Sequence, residues 1–133
     1  MNKFIITSGA VVLDEHKRIL LKKDPDRGWE LPGGIVEENE NIKNAVVREV
    51  KEETGINIDI IEFCGVSQDI KRNICNMWWL GTPLNENLKV SKESLEVGFF
   101  SIEDALKLIR NDDFKEELLR CLDKDNHPFF ITL

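Results

Sequence analysis

The sequence contains no tyrosine and little cysteine, histidine or methionine, and its basic residues are outnumbered by acidic ones. Among 133 residues there are 18 lysines and arginines against 25 aspartates and glutamates, a formal net charge of -7. Binding to duplex nucleic acid or to an anionic membrane requires a basic surface, so this balance argues against both classes. It leaves room for a small phosphorylated ligand, because a bound metal ion can supply positive charge locally.

The three cysteines are odd in number, and no pair has the C-x-x-C spacing of a metal site. This pattern favours buried free thiols in a reducing compartment for Cys64, Cys75 and Cys121. The apolar run near the start is too short to span a bilayer, and no cleavage signal follows it. We therefore expect a soluble, cytoplasmic protein.

Length and the absence of repeats or low-complexity linkers predict one domain over residues 1–133. Runs of β-branched and apolar residues predict strands over 3–13, 18–23, 56–70, 74–81 and 97–100, with a short extended piece at 29–31. Helices are predicted over 41–54, 102–110 and 113–122. Residues 127–133 could form an edge strand or pack as a hydrophobic tail. Several hairpins combined with helices predict a mixed sheet with helices on its faces.

The first predicted helix has signals at both ends and an acidic face. Asn39 or Asn41 can cap its start, and Gly55 can stop it. Glu49, Glu52 and Glu53 stand at i, i+3 and i+4, so their carboxylates are neighbours on one face and repel one another. Clusters of oxygen ligands are what Mg²⁺ and Mn²⁺ prefer. The neighbouring arginine, at position 48, could hold one carboxylate through a bidentate pair.

A helix face with three glutamates is most often just a solvated surface. The surrounding residues change this interpretation, because seven specified positions and two apolar ones fall at fixed offsets across residues 34–56. With average residue frequencies, such a match at a given start has a chance on the order of 10⁻⁹ or less. The preceding Pro32-Gly33-Gly34 would also let the backbone approach a ligand or metal closely, although many turns contain these residues.

Residues 34–56 resemble the Nudix box, G-x5-E-x7-R-E-U-x-E-E-x-G-U, in which U is aliphatic. Every specified position is matched, namely by Gly34, Glu40, Arg48, Glu49, Val50, Glu52, Glu53, Gly55 and Ile56. The stretch WELPG before the box and ESLEVGFFSIEDAL at residues 93–106 also resemble this family. The box covers about a sixth of the chain, and the weaker likeness extends over most of it.

The resemblance implies an α/β/α sandwich around a mixed sheet and hydrolysis of a nucleoside diphosphate derivative with Mg²⁺ or Mn²⁺. It implies metal ligation by the carboxylates of Glu49, Glu52 and Glu53, with the Gly33 carbonyl joining them. Glu40 and Gly34 would support the site. Arg48 would orient the glutamates without touching the metal.

For the general base we predict Glu52, although some family members use a glutamate from a later loop. Glu93 is the first candidate of that kind, and Glu86 and Glu96 are the next. The alternative for each is that it is an ordinary surface residue. For substrate binding we predict Lys22, Trp29 and Trp78. Their alternatives are a solvated lysine and tryptophans packed in the core.

The small size resembles the MutT-type enzymes, which favours a nucleoside triphosphate cleaved to a nucleoside monophosphate and pyrophosphate. ADP-ribose or a nucleotide sugar stays open as substrate, because a fold does not set specificity. A non-catalytic nucleotide sensor is the alternative of another class, and an isoprenoid diphosphate isomerase is a further one. Neither a nucleic-acid duplex nor a membrane is expected as partner, and both a monomer and a homodimer fit the sequence.

Overall fold

Eight strands and three α-helices form along residues 3–133, which the computed structural model describes. The strands are β1 (Ile5–Val12), β2 (Ile19–Asp24), β3 (Gly28–Glu30), β4 (Gly33–Ile35), β5 (Ile58–Asp69), β6 (Ile74–Pro83), β7 (Val97–Phe100) and β8 (Phe129–Thr132). The helices are α1 (Ile42–Thr54), α2 (Ile102–Leu108) and α3 (Asp112–Leu122). Each predicted element is present. Strand β4 was not predicted, and the tail forms the edge strand β8. The first two residues of the expected domain lie outside the described range.

The strands divide into two sheets, whereas the sequence predicted one. The larger sheet has the order β4-β1-β6-β5-β8 and is mixed, because β1 and β5 each have one parallel and one antiparallel neighbour. The smaller sheet, β3-β2-β7, is antiparallel. The hairpin between β1 and β2 makes only the isolated bridge from Leu13 to Ile19 within the described residues, and β2 pairs with β7 instead.

Alternation along β1 places helices on both faces of the larger sheet. Ala10 and Val12 point to one face, where they are buried with Val46 and Val50 of α1. Val11 points to the other face and is buried in the cluster that includes Leu118 of α3. This arrangement confirms the predicted sandwich and fixes α1 against the sheet by its apolar stripe.

The ends of α1 are set by the residues that the sequence indicated. The Asn41 side chain accepts hydrogen bonds from the backbone N–H groups of Lys43 and Asn44, at 2.9 and 3.2 Å, so Asn41 and not Asn39 is the cap. Gly55 ends the helix with φ 80°, a left-handed conformation that suits glycine. Among residues 3–133, no helix has both the length and the apolarity needed to cross a membrane.

The cysteines are free thiols, as predicted. Cys64 and Cys121 are buried between the larger sheet and α3. Burial raises the pKa of the Cys121 thiol, so it stays protonated. Cys75 is only half-buried, and the prediction of burial was wrong for it. It lies near the start of β6, where the sheet is less covered.

Trp78 lies in the core between the sheet and α3, with 4% of its surface exposed. Its indole N–H donates to Ser67 Oγ at 3.0 Å and to Glu117 Oε2 at 2.8 Å, and the Ser67 hydroxyl also donates to Glu117. The ring covers Gly9 so closely that a Cβ there would lie 2.6 Å from it. The prediction that Trp78 stacks on a substrate base is therefore corrected, since the ring is enclosed by its own chain.

We expect Glu117→Gln to stabilise the protein at alkaline pH. Burial raises the pKa of Glu117 from 4.5 to about 7. The folded protein therefore keeps this proton after the unfolded chain has lost it, and stability falls as the pH rises from about 4.5 to about 7. Glutamine stays neutral, so above pH 7 the variant should exceed the wild type by about 1–3 kcal/mol in free energy of unfolding.

Urea unfolding at about pH 5 and about pH 8 measures this difference. Glu116→Gln is the matched control, because Glu116 is half-exposed on the same helix. An equal advantage of Glu117→Gln at both pH values would contradict the prediction.

Candidate functional site

Arg48 gathers the acidic side chains of α1 and of the loop before it. Its Nε and Nη2 donate to the two oxygens of Glu40 at 2.6 and 2.9 Å, a bidentate pair. Its Nη1 donates to Glu49 at 3.0 Å and to Glu52 at 3.1 Å. One guanidinium thus brings together three carboxylates that would otherwise repel one another.

These contacts set the protonation of the cluster. The hydrogen bond from Arg48 lowers the pKa of Glu40 from 4.5 to about 2, and the same bond to Glu40 raises the pKa of Arg48. Burial raises the pKa of Glu49, and the negative charges of Glu52 and Glu93 add to this effect, whereas Arg48 opposes it. Glu40 is therefore firmly ionised, whereas the pKa of Glu49 is raised above its ordinary value.

Strand β4 brings its glycines against the carboxylates of α1. The Gly33 N–H donates to Glu53 Oε1 at 2.8 Å. A Cβ on Gly34 would lie 2.4 Å from the carboxyl carbon of Glu49. Glycine is needed at position 34 because the Glu49 carboxylate occupies the space of a side chain.

We expect Gly34→Ala to damage the site but not the fold. The group that the new methyl meets is the end of the flexible Glu49 side chain, which can move aside at little cost. Displacing that carboxylate should lower turnover about tenfold, as changes beside metal ligands commonly do. Steady-state kinetics and a thermal melt measure the two effects, and an unchanged turnover would contradict the prediction.

Lys22 is buried, although the sequence indicated a side chain reaching for phosphate. It follows Leu20 on the same face of β2 and points towards α1, with 1% of its surface exposed. Its ammonium donates to Glu53 Oε2 at 2.9 Å and lies 3.5 Å from Glu30. Since both partners enclose it, Lys22 is not available to a phosphate, and that prediction is corrected.

The pair of Lys22 and Glu53 shifts the titration of both groups. Burial raises the pKa of Glu53 from 4.5 to about 7, although Lys22 and the Gly33 N–H pull it down. Burial works to lower the pKa of Lys22, but the hydrogen bond and charge of Glu53 outweigh it and raise that pKa. Lys22 is therefore a fixed cation beside the box.

The remaining predicted residues differ in their surroundings. Glu93 is exposed, and its charge raises the pKa of Glu49, which places it within electrostatic reach of the box. Glu96 instead faces Lys23, with its carboxylate 3.4 Å from the ammonium. Trp29 is half-buried and packs edge-on against Phe100, with ring centroids 5.1 Å apart.

A separate groove of about 850 Å³ lies between the β1–β2 turn and the segment that follows β6. Glu86 lines it together with Leu13, His16, Thr82, Leu84 and Phe99. None of the nine box residues belongs to its lining. The groove is therefore distinct from the box, and Glu86 belongs to the groove lining.

The donor set at α1 fits a hard divalent cation. Carboxylate oxygens are suitable ligands, and Gly34 leaves room for Glu49 beside the backbone of β4. Within residues 3–133, no three acidic, cysteine or histidine side chains already stand in ligand geometry. In this structure Arg48 donates to oxygens of Glu49 and Glu52, and Lys22 donates to one oxygen of Glu53.

The sequence did not show that Lys22, Glu30 and Glu53 form a buried group. A signal existed, because Lys22 and Leu20 are two residues apart on one strand and must share a face. The partner across that face, 31 residues later, is fixed only by how α1 packs on the strands.

Several known proteins match this chain over much of its length. A MutT-like protein of Streptomyces ambofaciens is 34% identical over 101 residues, 75% of this chain and 66% of that protein. An ADP-ribose pyrophosphatase of Methanocaldococcus jannaschii is 31% identical over 105 residues, 73% of this chain and 62% of that protein. An 8-oxo-dGTP diphosphatase of Proteus vulgaris is 32% identical over 98 residues, 68% of this chain and 88% of that protein. The matches thus span just under two thirds of the first two relatives.

The fold and the family model agree with this likeness. The crystal structure of a NUDIX hydrolase from Nitrosomonas europaea superposes with a TM-score of 0.88 at 23% identity, covering 100% of this chain and 80% of that one. The NUDIX domain model matches residues 3–122, which include the whole box and both sheets except β8. With a match across nearly its whole length, the chain belongs to the Nudix hydrolase family.

Proposed function

We propose that this protein hydrolyses a phosphoanhydride bond in a nucleoside diphosphate derivative, with Mg²⁺ or Mn²⁺ bound by Glu49, Glu52, Glu53 and the Gly33 carbonyl. The observation that carries the proposal is the Arg48 cluster, in which one guanidinium gathers Glu40, Glu49 and Glu52. A solvated helix face has no need for such convergence. Several carboxylates held at one place are suited to a divalent cation.

The metal ion and the residues of the site have different roles in the proposed reaction. When bound, the metal offsets the charge of the substrate phosphates and so stabilises the transition state. Glu52 accepts the proton of the attacking water, whose oxygen forms the new bond to phosphorus as the bridging P–O bond breaks. The ion pair of Arg48 and Glu40 holds the acidic side chains of the site in place. Glu93 is the second candidate for the general base, after Glu52.

For the substrate we favour a nucleoside triphosphate, cleaved to a nucleoside monophosphate and pyrophosphate. The Proteus vulgaris relative is named as an 8-oxo-dGTP diphosphatase and the Streptomyces ambofaciens relative as MutT-like, whereas the Methanocaldococcus jannaschii relative is named for ADP-ribose. ADP-ribose or a nucleotide sugar is therefore the alternative. With no tyrosine in the chain, Trp29 is the proposed aromatic contact of the base. We place this activity in a single cytoplasmic domain, residues 1–133.

A substrate panel tests the proposal. Nucleoside triphosphates, ADP-ribose, nucleotide sugars, dinucleoside polyphosphates and isopentenyl diphosphate are incubated with Mg²⁺ and with Mn²⁺, and the products are separated. We expect pyrophosphate from a triphosphate, at a rate that chelation abolishes. Preference for ADP-ribose would support the alternative substrate. Binding without turnover of any compound would favour a sensor, and rearrangement of isopentenyl diphosphate without phosphate release would favour an isomerase.

A further inference from the structure

A chain of alternating charges runs from the β2–β3 hairpin to the Nudix box. At its outer end, Arg27 donates through Nε and Nη2 to the two oxygens of Glu30, at 3.0 and 3.1 Å. Glu30 lies 3.5 Å from the Lys22 ammonium, which donates to Glu53 at 2.9 Å. The three inner side chains are almost completely buried, with exposures of 6% for Glu30, 2% for Lys22 and 8% for Glu53.

Two hydrogen bonds restrain the Glu53 carboxylate, one at each oxygen. Oε2 accepts from Lys22, and Oε1 accepts from the Gly33 N–H of β4. Lys22 cannot drift away, because Glu30 holds it and is itself held by Arg27. A carboxylate bound at both oxygens by fixed donors has a fixed position and plane. Glu53 is the box glutamate with the least exposed side chain.

We propose that Lys22 is a positioning residue, which holds the Glu53 carboxylate for the metal ion and does not itself contact the substrate. This inference rests on the proposed function, since it gives Glu53 a metal to bind. It also assigns Glu30 and Arg27 a role at a distance, as the anchor that keeps Lys22 against Glu53.

The change in metal affinity on replacing Lys22 distinguishes positioning from direct charge repulsion, because the two effects change the affinity in opposite directions. Replacing Lys22 by a neutral residue removes a positive charge close to the cation site, and Coulomb repulsion alone would then let a divalent ion bind more tightly. Loss of positioning acts in the opposite direction, because the ion meets a displaced carboxylate. Lys22 also lowers the pKa of Glu53, so its loss favours a proton on that carboxylate, which would weaken metal binding as well. Weaker binding that persists when the titration is repeated at a higher pH therefore comes from lost positioning.

The test is a titration of the full chain with Mn²⁺ alone, following the electron paramagnetic resonance signal of the free ion. We expect Lys22→Met to weaken Mn²⁺ binding by about 10–100-fold per folded molecule, the range found for partners of metal ligands. Lys23→Met is the matched control, because it makes the same charge change on the next residue, whose side chain is 42% exposed. Unchanged or tighter binding by Lys22→Met would overturn the inference.

A third variant, Glu53→Gln, separates this inference from the proposed function. If Glu53→Gln leaves Mn²⁺ binding intact, the proposed metal site itself fails. If Glu53→Gln weakens binding and Lys22→Met does not, only the positioning role fails. Should Lys22→Met not fold, as circular dichroism would show, Glu30→Gln takes its place. It retains the ammonium but weakens its anchor, and it should weaken Mn²⁺ binding several-fold; no change would overturn the inference.

Kinetics supply an independent readout. A positioning residue should lower kcat and leave the KM for the preferred nucleotide nearly unchanged in Lys22→Met at saturating metal. A phosphate-binding lysine would instead raise KM, and a merely structural one would lower the melting temperature without changing either constant. Either of the last two patterns would overturn the inference.

Discussion

Glu52→Gln should lower kcat by about 10²–10⁴-fold, the usual contribution of a positioned general base, with little change in KM. Glutamine has nearly the same shape but cannot accept the proton of the attacking water. Glu52 is suited to this role because its side chain is 59% exposed, against 16% for Glu49 and 8% for Glu53. Its contact with Arg48 at 3.1 Å orients the carboxylate and leaves it open to water.

Steady-state kinetics with Mg²⁺ and with Mn²⁺ measure this effect. Glu38→Gln is the matched control, since Glu38 is exposed in the loop before α1 and is expected to retain full turnover. Glu93→Gln is the rival variant, because Glu93 also lies within electrostatic reach of Glu49. Near-normal turnover in Glu52→Gln, together with a large loss in Glu93→Gln, would transfer the role of base to Glu93.

The box could be read from the sequence because its geometry is local. Glu49, Glu52 and Glu53 lie within two turns of one helix, and helical offsets determine which side chains are neighbours. Arg48 and Glu40 are only 8 residues apart, and the turn into α1 at its cap, Asn41, brings them together. The strands other than β4 followed from their composition, and their ends were predicted within a few residues because turns and caps have their own chemistry.

Features that depend on packing between distant segments could not be read in the same way. Trp78 and Trp79 are adjacent on β6 and so face opposite sides of the sheet, but only the position of α3 determines that Trp78 is enclosed. The enclosure of Trp78 depends on Glu117, which lies 39 residues later on that helix. The division into two sheets has the same origin, since apolar runs predict strands but not their partners.

Lys22 shows most clearly what could not be predicted from the sequence. From the sequence, Lys22 and Lys23 are adjacent and equivalent, and both could meet a phosphate. In the fold, Lys22 is 2% exposed at its side chain and Lys23 is 42% exposed, because alternate residues of β2 face α1 and the exterior. Burial next to Glu53 turns an ordinary surface residue into part of the candidate site, and no local pattern states that Glu53 will be there.

Arg48→Ala should lower turnover by about 10²-fold, because it releases several carboxylates of the proposed site at once. Arg48 bonds Glu40, Glu49 and Glu52, and its guanidinium also lies 3.8 Å from Glu37. Without it, these like charges repel and the α1 glutamates spread apart. Arg72→Ala is the matched control, because Arg72 is exposed in the β5–β6 turn and is expected to leave turnover unchanged.

Arg48→Ala should also change the pKa of Glu40, which can be measured without an activity assay. The pKa of Glu40 is about 2 chiefly because Arg48 donates to it, so Arg48→Ala should return that pKa towards 4.5. Carbon NMR of labelled glutamate carboxyls measures the change directly. A depressed pKa gives stability that is present above about pH 4.5 and is lost as the pH falls towards about 2. The stability advantage of wild type over Arg48→Ala should therefore shrink across that interval.

Arg48→Lys separates the charge of Arg48 from its geometry. An ammonium keeps the positive charge and should hold the pKa of Glu40 below 4.5, but it lacks the planar fork that reaches several carboxylates at once. Its turnover should therefore remain close to that of Arg48→Ala. If Arg48→Lys instead had wild-type turnover, charge alone would organise the site, and the convergence of Glu40, Glu49 and Glu52 on one guanidinium would no longer explain it.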